Sequence, residues 1–352
     1  MNDNSFSATP KVFRVAIRLA GGWPLRPSRV NLSRHVASVR AVPSKVGGYA
    51  AILTCAVLLG MWATVGTLAL VVLAPLTVAV FVQAASSVAF APALPRLSLT
   101  RRQWGITILA SLAGAFGAPL AYFTGLGQTT PSDAALLSNT EAMFTVVFAF
   151  VVLGERLTAR GYAAVGAILG GAVLVTLPVG AAGLDVGPRL GGDLLLVLAA
   201  ALWGVDNTAS RIVTRDHDIR AFSCVKMGLG ATLLALTSLA LGSSLAIPPS
   251  ALPAVVVLGL TGGALFTFLF FTSMRAIGAI RVGAILGTSA VWGVAIATAA
   301  GFPPPTPLQL VGGAVMVAAV VALYLQPQRT SPRDAAPTRD GPVPGPARRK
   351  DK

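Results

Sequence analysis

The stretch from Ser132 to Pro178, SDAALLSNTEAMFTVVFAFVVLGERLTARGYAAVGAILGGAVLVTLP, decides the fold. Its two apolar runs, near 132–152 and 160–178, each approach the roughly 20 residues an α-helix needs to cross a bilayer. A short turn carrying Glu155, Arg156 and Arg160 separates them. In lipid every backbone N–H and C=O must be satisfied inside its own segment, so the pattern reads as two membrane helices joined by a polar turn.

The same pattern extends in both directions. Further spans are expected near 48–70, 74–94, 104–125, 193–213, 221–243, 252–274, 281–301 and 307–326, which makes about ten. The composition agrees: 55% of the 352 residues are hydrophobic, 11% are charged, and the mean hydropathy is +0.76. An average soluble domain carries roughly 25% charged residues. The expected class is therefore an all-α integral membrane protein. Arg96, Arg101 and Arg102 fall between spans two and three, Arg156 and Arg160 between four and five. Arg211, Arg215 and Arg220 bracket the turn between six and seven, and Arg275 and Arg281 the turn between eight and nine. Arg189 is the exception in the alternate loops. With ten spans, all these basic loops share one side with both basic tails. Lys and Arg accumulate on the cytoplasmic side, so the expectation is a multi-pass protein of the inner or plasma membrane with both termini cytoplasmic.

Five spans, a Gly- and Pro-containing stretch Val179–Gly192, and five more spans point to an internal duplication. An odd number of spans per half orients the halves oppositely, and such inverted repeats carry their site at the repeat interface near mid-membrane. Gly166, Gly170 and Gly171 in span five and Gly312 and Gly313 in span ten are small residues of the kind that let helices approach closely. Residues 1–46, with Lys11, Arg14, Arg18, Arg26, Arg29, Arg34, Arg40 and Lys45, read as a basic cytoplasmic extension without a cleaved signal, and 327–352 as a disordered basic tail. Val12–Leu19 is either a surface-lying amphipathic segment or part of that tail. The net charge of +15 resides mainly in these tails and loops. They lack the interleaved aromatics of a nucleic-acid module, so no nucleic-acid partner is expected. Cys55 and Cys224 lie in separate apolar runs, and His35 and His217 are far apart. This yields neither a disulfide framework nor a metal site. No cofactor motif is present, and none of the HExxH, GxSxG or Walker patterns occurs.

Three ionisable residues fall inside apolar spans: Glu141, Asp206 and Lys226. A charge at bilayer depth costs at least ~2.5–3.5 kcal/mol, and such residues usually face a bundle interior or a water-filled path. On a regular helix Ser138, Glu141 and Thr145 share one stripe, with Asn139 beside it. Glu141 is either a proton carrier or a neutral group hydrogen-bonded between helices. Trp203, Asp206, Asn207 and Ser210 share a face of span six. Asp206 and Lys226 lie equally far from the turn near Asp216, so an antiparallel hairpin brings them to similar depth as an ion pair, structural or gating. Pro119 removes a backbone hydrogen bond inside span three and kinks it. The freed carbonyl either binds substrate or shapes packing. Tyr122 and Trp203 are candidates to stack on a ligand.

Several stretches carry a family resemblance: VLGERLT at 152–158, GAPLAYFTGL at 117–126, LLSNTEAMFTVVFAFVVLGE at 136–155, LWGVDNTASRIV at 202–213, CVKMG at 224–228 and TSMRAIGAIRVGA at 272–284. In this order they resemble the EamA-type transporters of the drug/metabolite transporter superfamily, over about residues 48–326. The resemblance implies two inverted five-helix repeats, 47–178 and 193–326, joined by a linker at 179–192, and alternating access around a central cavity. Glu141, Asp206, Asn207 and Lys226 would line it, with Ser138, Asn139, Trp203 and Tyr122 nearby and Glu155 and Pro119 in gate or turn positions. Where the second repeat of the family often has its own Gly-Glu turn, this chain reads Ala300-Gly301-Phe302-Pro303-Pro304-Pro305, so Glu155 has no symmetric counterpart. The expected function is secondary transport, in the export direction, of a small polar or amphipathic metabolite, amino-acid-like or drug-like, with Glu141 as the proton site. The expected partners are that small molecule, the lipid bilayer and a coupling proton; a homodimer is left open. The alternative is a membrane-embedded lipid flippase or enzyme, and a scaffold role fits the intramembrane charges poorly.

Overall fold

A computed structural model describes residues 44–153, 158–177, 179–180, 183–184, 188–214 and 217–325. The expectations that fall on residues 1–43, on Glu155 and on 326–352 lie outside the described residues.

Among the described residues ten helices are long and apolar enough to cross a membrane: Lys45–Leu70, Pro75–Pro95, Arg101–Leu126, Pro131–Val152, Ala159–Thr176, Arg189–Val213, Ile219–Ala240, Leu252–Phe270, Arg281–Ala299 and Pro307–Tyr324. Their starts are set locally. Ser44, Thr100, Thr130, Thr158 and Thr306 each accept a backbone N–H of the first turn, and Pro75, Pro131 and Pro307 open their helices where no donor is needed. Large apolar side chains such as Leu198, Leu239, Leu260, Phe268 and Leu310 stand exposed on the outside. That is the surface a lipid-facing protein presents.

One boundary differs from expectation. The sixth helix begins at Pro188, so residues 188–192, read as the end of a linker, are helical. Gly191-Gly192 looks like a breaker in sequence. In the fold Gly192 lies against span three, where an added Cβ would stand 2.8 Å from the Gly125 carbonyl oxygen. The glycine serves backbone contact between helices rather than a loop. A two-residue antiparallel pairing, Val179–Gly180 with Gly183–Leu184, occupies the connection.

The two halves pair in a pattern that survives their exchange. Span two packs on span seven and span five on span ten. Span one packs on spans eight and nine, as span six packs on spans three and four. Counting five spans onward returns the first two contacts to themselves and converts those of span one into those of span six. Two pairs of helix irregularities obey the same rule, although the π-helical end of span four, Ala149–Leu153, has no counterpart in span nine among the described residues. Spans three and eight each contain a π-helical segment, Ser111–Gly117 and Leu260–Leu265. Span four breaks at Ser138-Asn139 and span nine at Gly287-Thr288. Small residues set the closest approaches. Gly171 meets Gly312 backbone to backbone, while Gly166 and Gly170 have nothing within 4 Å of a Cβ position. The fully buried Phe123, Leu126, Leu137, Ile168, Leu234 and Leu258 draw the core from both halves.

Candidate functional site

The break in span four builds one wall of the site. After Leu137 the helix turns through Ser138 and Asn139 and restarts at Thr140. A broken helix does not keep the stripe a regular one would have. Ser138 donates its hydroxyl to the Ala135 carbonyl at 2.7 Å. Asn139 is 5% exposed and its Nδ2 has no hydrogen-bond partner among the described residues. Glu141 and Thr145, both beyond the break, stay together.

Span six supplies the facing wall, and Gly204 sets its distance. A Cβ there would lie 2.7 Å from Phe144 Cβ and 2.9 Å from the Thr145 nitrogen, so the two backbones touch. Nearly one turn on, the Asn207 amide donates to Glu141 Oε1 at 2.8 Å and to Thr145 Oγ1 at 3.2 Å. One NH₂ group has a hydrogen for each acceptor.

Asp206 leaves the same helix in a different direction. It lies on Gly114, in the π-helical segment of span three, where a side chain would collide with its carboxylate. Lys226 Nζ reaches its Oδ2 at 2.6 Å and Ser210 donates to its Oδ1 at 2.7 Å. Lys226 also sits 5.8 Å from the Phe222 ring centre. The face predicted for span six therefore splits: Asn207 serves span four, and Asp206 serves spans three and seven. The ion pair lies close enough to Glu141 for both charges to act on it. The arrangement holds two carboxyl groups and one cation. Lys226 neutralises Asp206, and the side chain that donates to Glu141 is the neutral amide of Asn207.

Aromatic rings close a third side. Tyr122 stacks on Trp62 at 5.4 Å and tilts against Trp203 at 5.4 Å, with Trp62 and Trp203 6.4 Å apart. Tyr122 is 5% exposed, so in this state it packs against rings; Trp203 is partly exposed. Pro119 explains the wide turn before it. It offers no N–H to the Ala115 carbonyl, which Gln83 of span two takes instead at 2.8 Å. The freed carbonyl thus has a protein partner. Gln83, Gly114, Gly204 and Trp62 escape sequence reading because nothing in their local pattern says what they touch.

A second polar cluster lies at the end opposite the basic loops. There Arg189 meets Asp133 Oδ2 at 2.6 Å, Gln309 donates to Asp133 Oδ1 at 2.7 Å, and Thr129 bridges Asp133 and Asp193. In sequence these groups look like span edges; only Arg189 stands out, as the basic residue on the wrong side.

Ten apolar helices in two exchangeable halves, with broken helices and paired charges at their interface, define a multi-pass membrane protein built from two five-span repeats. The chain belongs to the EamA-like transporter family, whose model matches residues 46–177 and 190–325. It is 28% identical over 226 residues to an uncharacterized transporter of Methanothermobacter thermautotrophicus, a match covering 64% of this chain and 66% of that relative, just under two thirds of its length. It is 27% identical over 237 residues to the aromatic amino acid exporter YddG of Ancylobacter novellus, covering 66% of this chain and 80% of that protein. A solved crystal structure shares the fold at a TM-score of 0.58 and 23% identity, over 80% of this chain and 96% of that one.

Proposed function

We propose that this protein is a secondary active transporter that exports a small polar or amphipathic metabolite by alternating access, with proton exchange at Glu141 as the driving step. The observation that carries the reading is Glu141 itself. It is the carboxyl left over when Lys226 has neutralised Asp206, and it sits just past the break in span four. Discontinuous helices at matching positions of two inverted repeats are the usual setting of a transport site. The unpartnered Asn139 Nδ2 is a ready donor for substrate, and the Asp206–Lys226 pair is a gate that opens when substrate competes for one of its partners. The ring cluster of Trp62, Tyr122 and Trp203, together with the relative named as an aromatic amino acid exporter, supports an amino-acid-like substrate with an apolar side chain. The basic loops face the cytoplasm of the inner or plasma membrane, which makes the Arg189 end the outer one.

The test is a metabolite uptake and efflux screen in proteoliposomes, with and without an imposed pH gradient, comparing wild type with Glu141→Gln. The glutamine keeps an acceptor for Asn207 and cannot exchange a proton. Gradient-driven movement in wild type, lost in the variant, is the expected result. The same pH-dependent movement in the variant would remove Glu141 from the coupling step. No movement of any metabolite, with movement of labelled phospholipid, would favour the flippase alternative.

A further inference from the structure

The outer cluster holds a charge arrangement that balances only with an added proton. Asp133 is fully buried and Asp193 is 1% exposed. The charged groups facing Asp193 are Asp133 from span four and Arg189 from its own helix. The loop after span three and span ten bring neutral amides to this end, Gln128 and Gln309. Two carboxyl groups therefore share one cation. Arg189 and Gln309 both go to Asp133, so Asp133 is the ionised member. Asp193 is left with Thr129. The Thr129 hydroxyl oxygen lies 2.6 Å from Asp193 Oδ1 and 3.1 Å from Asp133 Oδ2. A hydroxyl has one hydrogen and donates it once. If both aspartates were ionised, one of those contacts would set oxygen against oxygen with no hydrogen between. Asp193 Oδ2, moreover, is buried with no hydrogen-bond partner among the described residues. A carboxylate oxygen in that position is far costlier than the carbonyl oxygen of a neutral acid.

We propose that Asp193 is a second proton-binding site, which donates from Oδ1 to Thr129 Oγ1 and so completes a latch across spans four, six and ten. In this arrangement Asp193 donates to Thr129, Thr129 donates to Asp133, and Asp133 accepts from Arg189 and Gln309 as well. The carboxyl and hydroxyl hydrogens each have an acceptor, and the unpartnered Oδ2 is a neutral carbonyl. The latch ties the loop after span three to the outer ends of spans four, six and ten. Arg189, 44% exposed along its side chain, gives it an edge on the surface. Loss of the proton sets two carboxylates against one arginine and pushes the ends apart. That this closes a transport path rests on the transporter reading; the proton does not.

The experiment is infrared spectroscopy of the full chain in lipid nanodiscs at neutral pH, which needs no substrate. Wild type is expected to show the carbonyl stretch of a protonated carboxyl that disappears in Asp193→Asn and persists in Glu141→Gln. Absence of such a band in wild type, or its survival in Asp193→Asn, overturns the proposal. Should Asp193→Asn fail to fold, Thr129→Val reads the same group: loss of the acceptor moves the band to higher frequency, and an unmoved band is equally fatal. Hydrogen–deuterium exchange then tests the latch. Asp193→Asn, whose amide still donates to Thr129, keeps wild-type protection, whereas Asp193→Ala exposes the outer ends of spans four, six and ten together. A change confined to the first turns of span six shows that no latch exists.

Discussion

Asp206 shows how one side chain joins three spans. Its carboxylate rests on Gly114 of span three, accepts from Ser210 on its own helix and pairs with Lys226 of span seven. Removing one member of a buried ion pair leaves the other uncompensated, at a cost of about 3–5 kcal/mol, while replacing both is often close to neutral. Asp206→Asn is therefore expected to lower unfolding stability in detergent by an amount of that order, and adding Lys226→Met to recover most of it. A double variant no more stable than Asp206→Asn would mean that the charges act separately. Asn207 behaves differently. Interhelical hydrogen bonds in membranes average only about 0.6 kcal/mol, so Asn207→Ala should scarcely change stability. Its effect is expected in the pH profile of transport, because Glu141 and Thr145 both lose the amide that donates to them. An unaltered profile would place Asn207 outside the coupling machinery. The charges themselves stand out in the sequence as polar letters in apolar runs. Their partners from other spans do not, except where a short hairpin relates them, as it does Asp206 and Lys226.

At the scale of the element, Pro119 and Gln83 form a unit that neither helix reveals alone. The proline frees the Ala115 carbonyl and Gln83 takes it at 2.8 Å. In a buried site an unpaired carbonyl costs about 1–3 kcal/mol. Gln83→Leu should lose about that much in a denaturation curve. In a Pro119→Ala background it should lose less, because the new N–H can reach Ala115. Equal losses in both backgrounds would disprove the coupling. Gly204 is the corresponding device between spans four and six. Gly204→Ala puts a methyl group 2.7 Å from Phe144 Cβ, and such overpacking typically costs about 1–3 kcal/mol. Weaker thermal stability accompanied by loss of transport is expected; an intact, fully active variant would show that the helices have slack there. The lengths and order of the ten spans are legible in the sequence because lipid demands long apolar runs. The π-helical segments and the break at Ser138-Asn139 are not. They depend on which carbonyls find partners on neighbouring helices, and Ser, Asn and Gly occur in unbroken membrane helices too.

The whole molecule is held together mainly across its halves. Spans five and ten meet at Gly171 and Gly312, and spans one and nine at Gly60 and Gly293, where a Cβ on Gly60 would lie 2.6 Å from the Gly293 nitrogen. Each half alone leaves these faces open. Two polypeptides made by dividing the chain within 181–187 should accumulate and copurify when expressed together and be degraded when expressed singly. Stable accumulation of either half by itself would contradict this. The exchange symmetry also separates backbone from chemistry. Counting from Gly204, which touches span four, and from Gly60, which touches span nine, Asp206 and Asn207 correspond to Trp62 and Ala63, so these two polar groups have no polar counterpart in span one. The sequence by itself determined the membrane class, the ten spans, the duplication and the three charges at depth, because each follows from hydropathy read along the chain. Only the tertiary structure decided that Lys226 pairs with Asp206 while Glu141 accepts from Asn207, that Gln83 answers Pro119, and that Asp133, Arg189, Asp193 and Gln309 converge. Those are relations between helices far apart in sequence, and they exist only once the spans are packed.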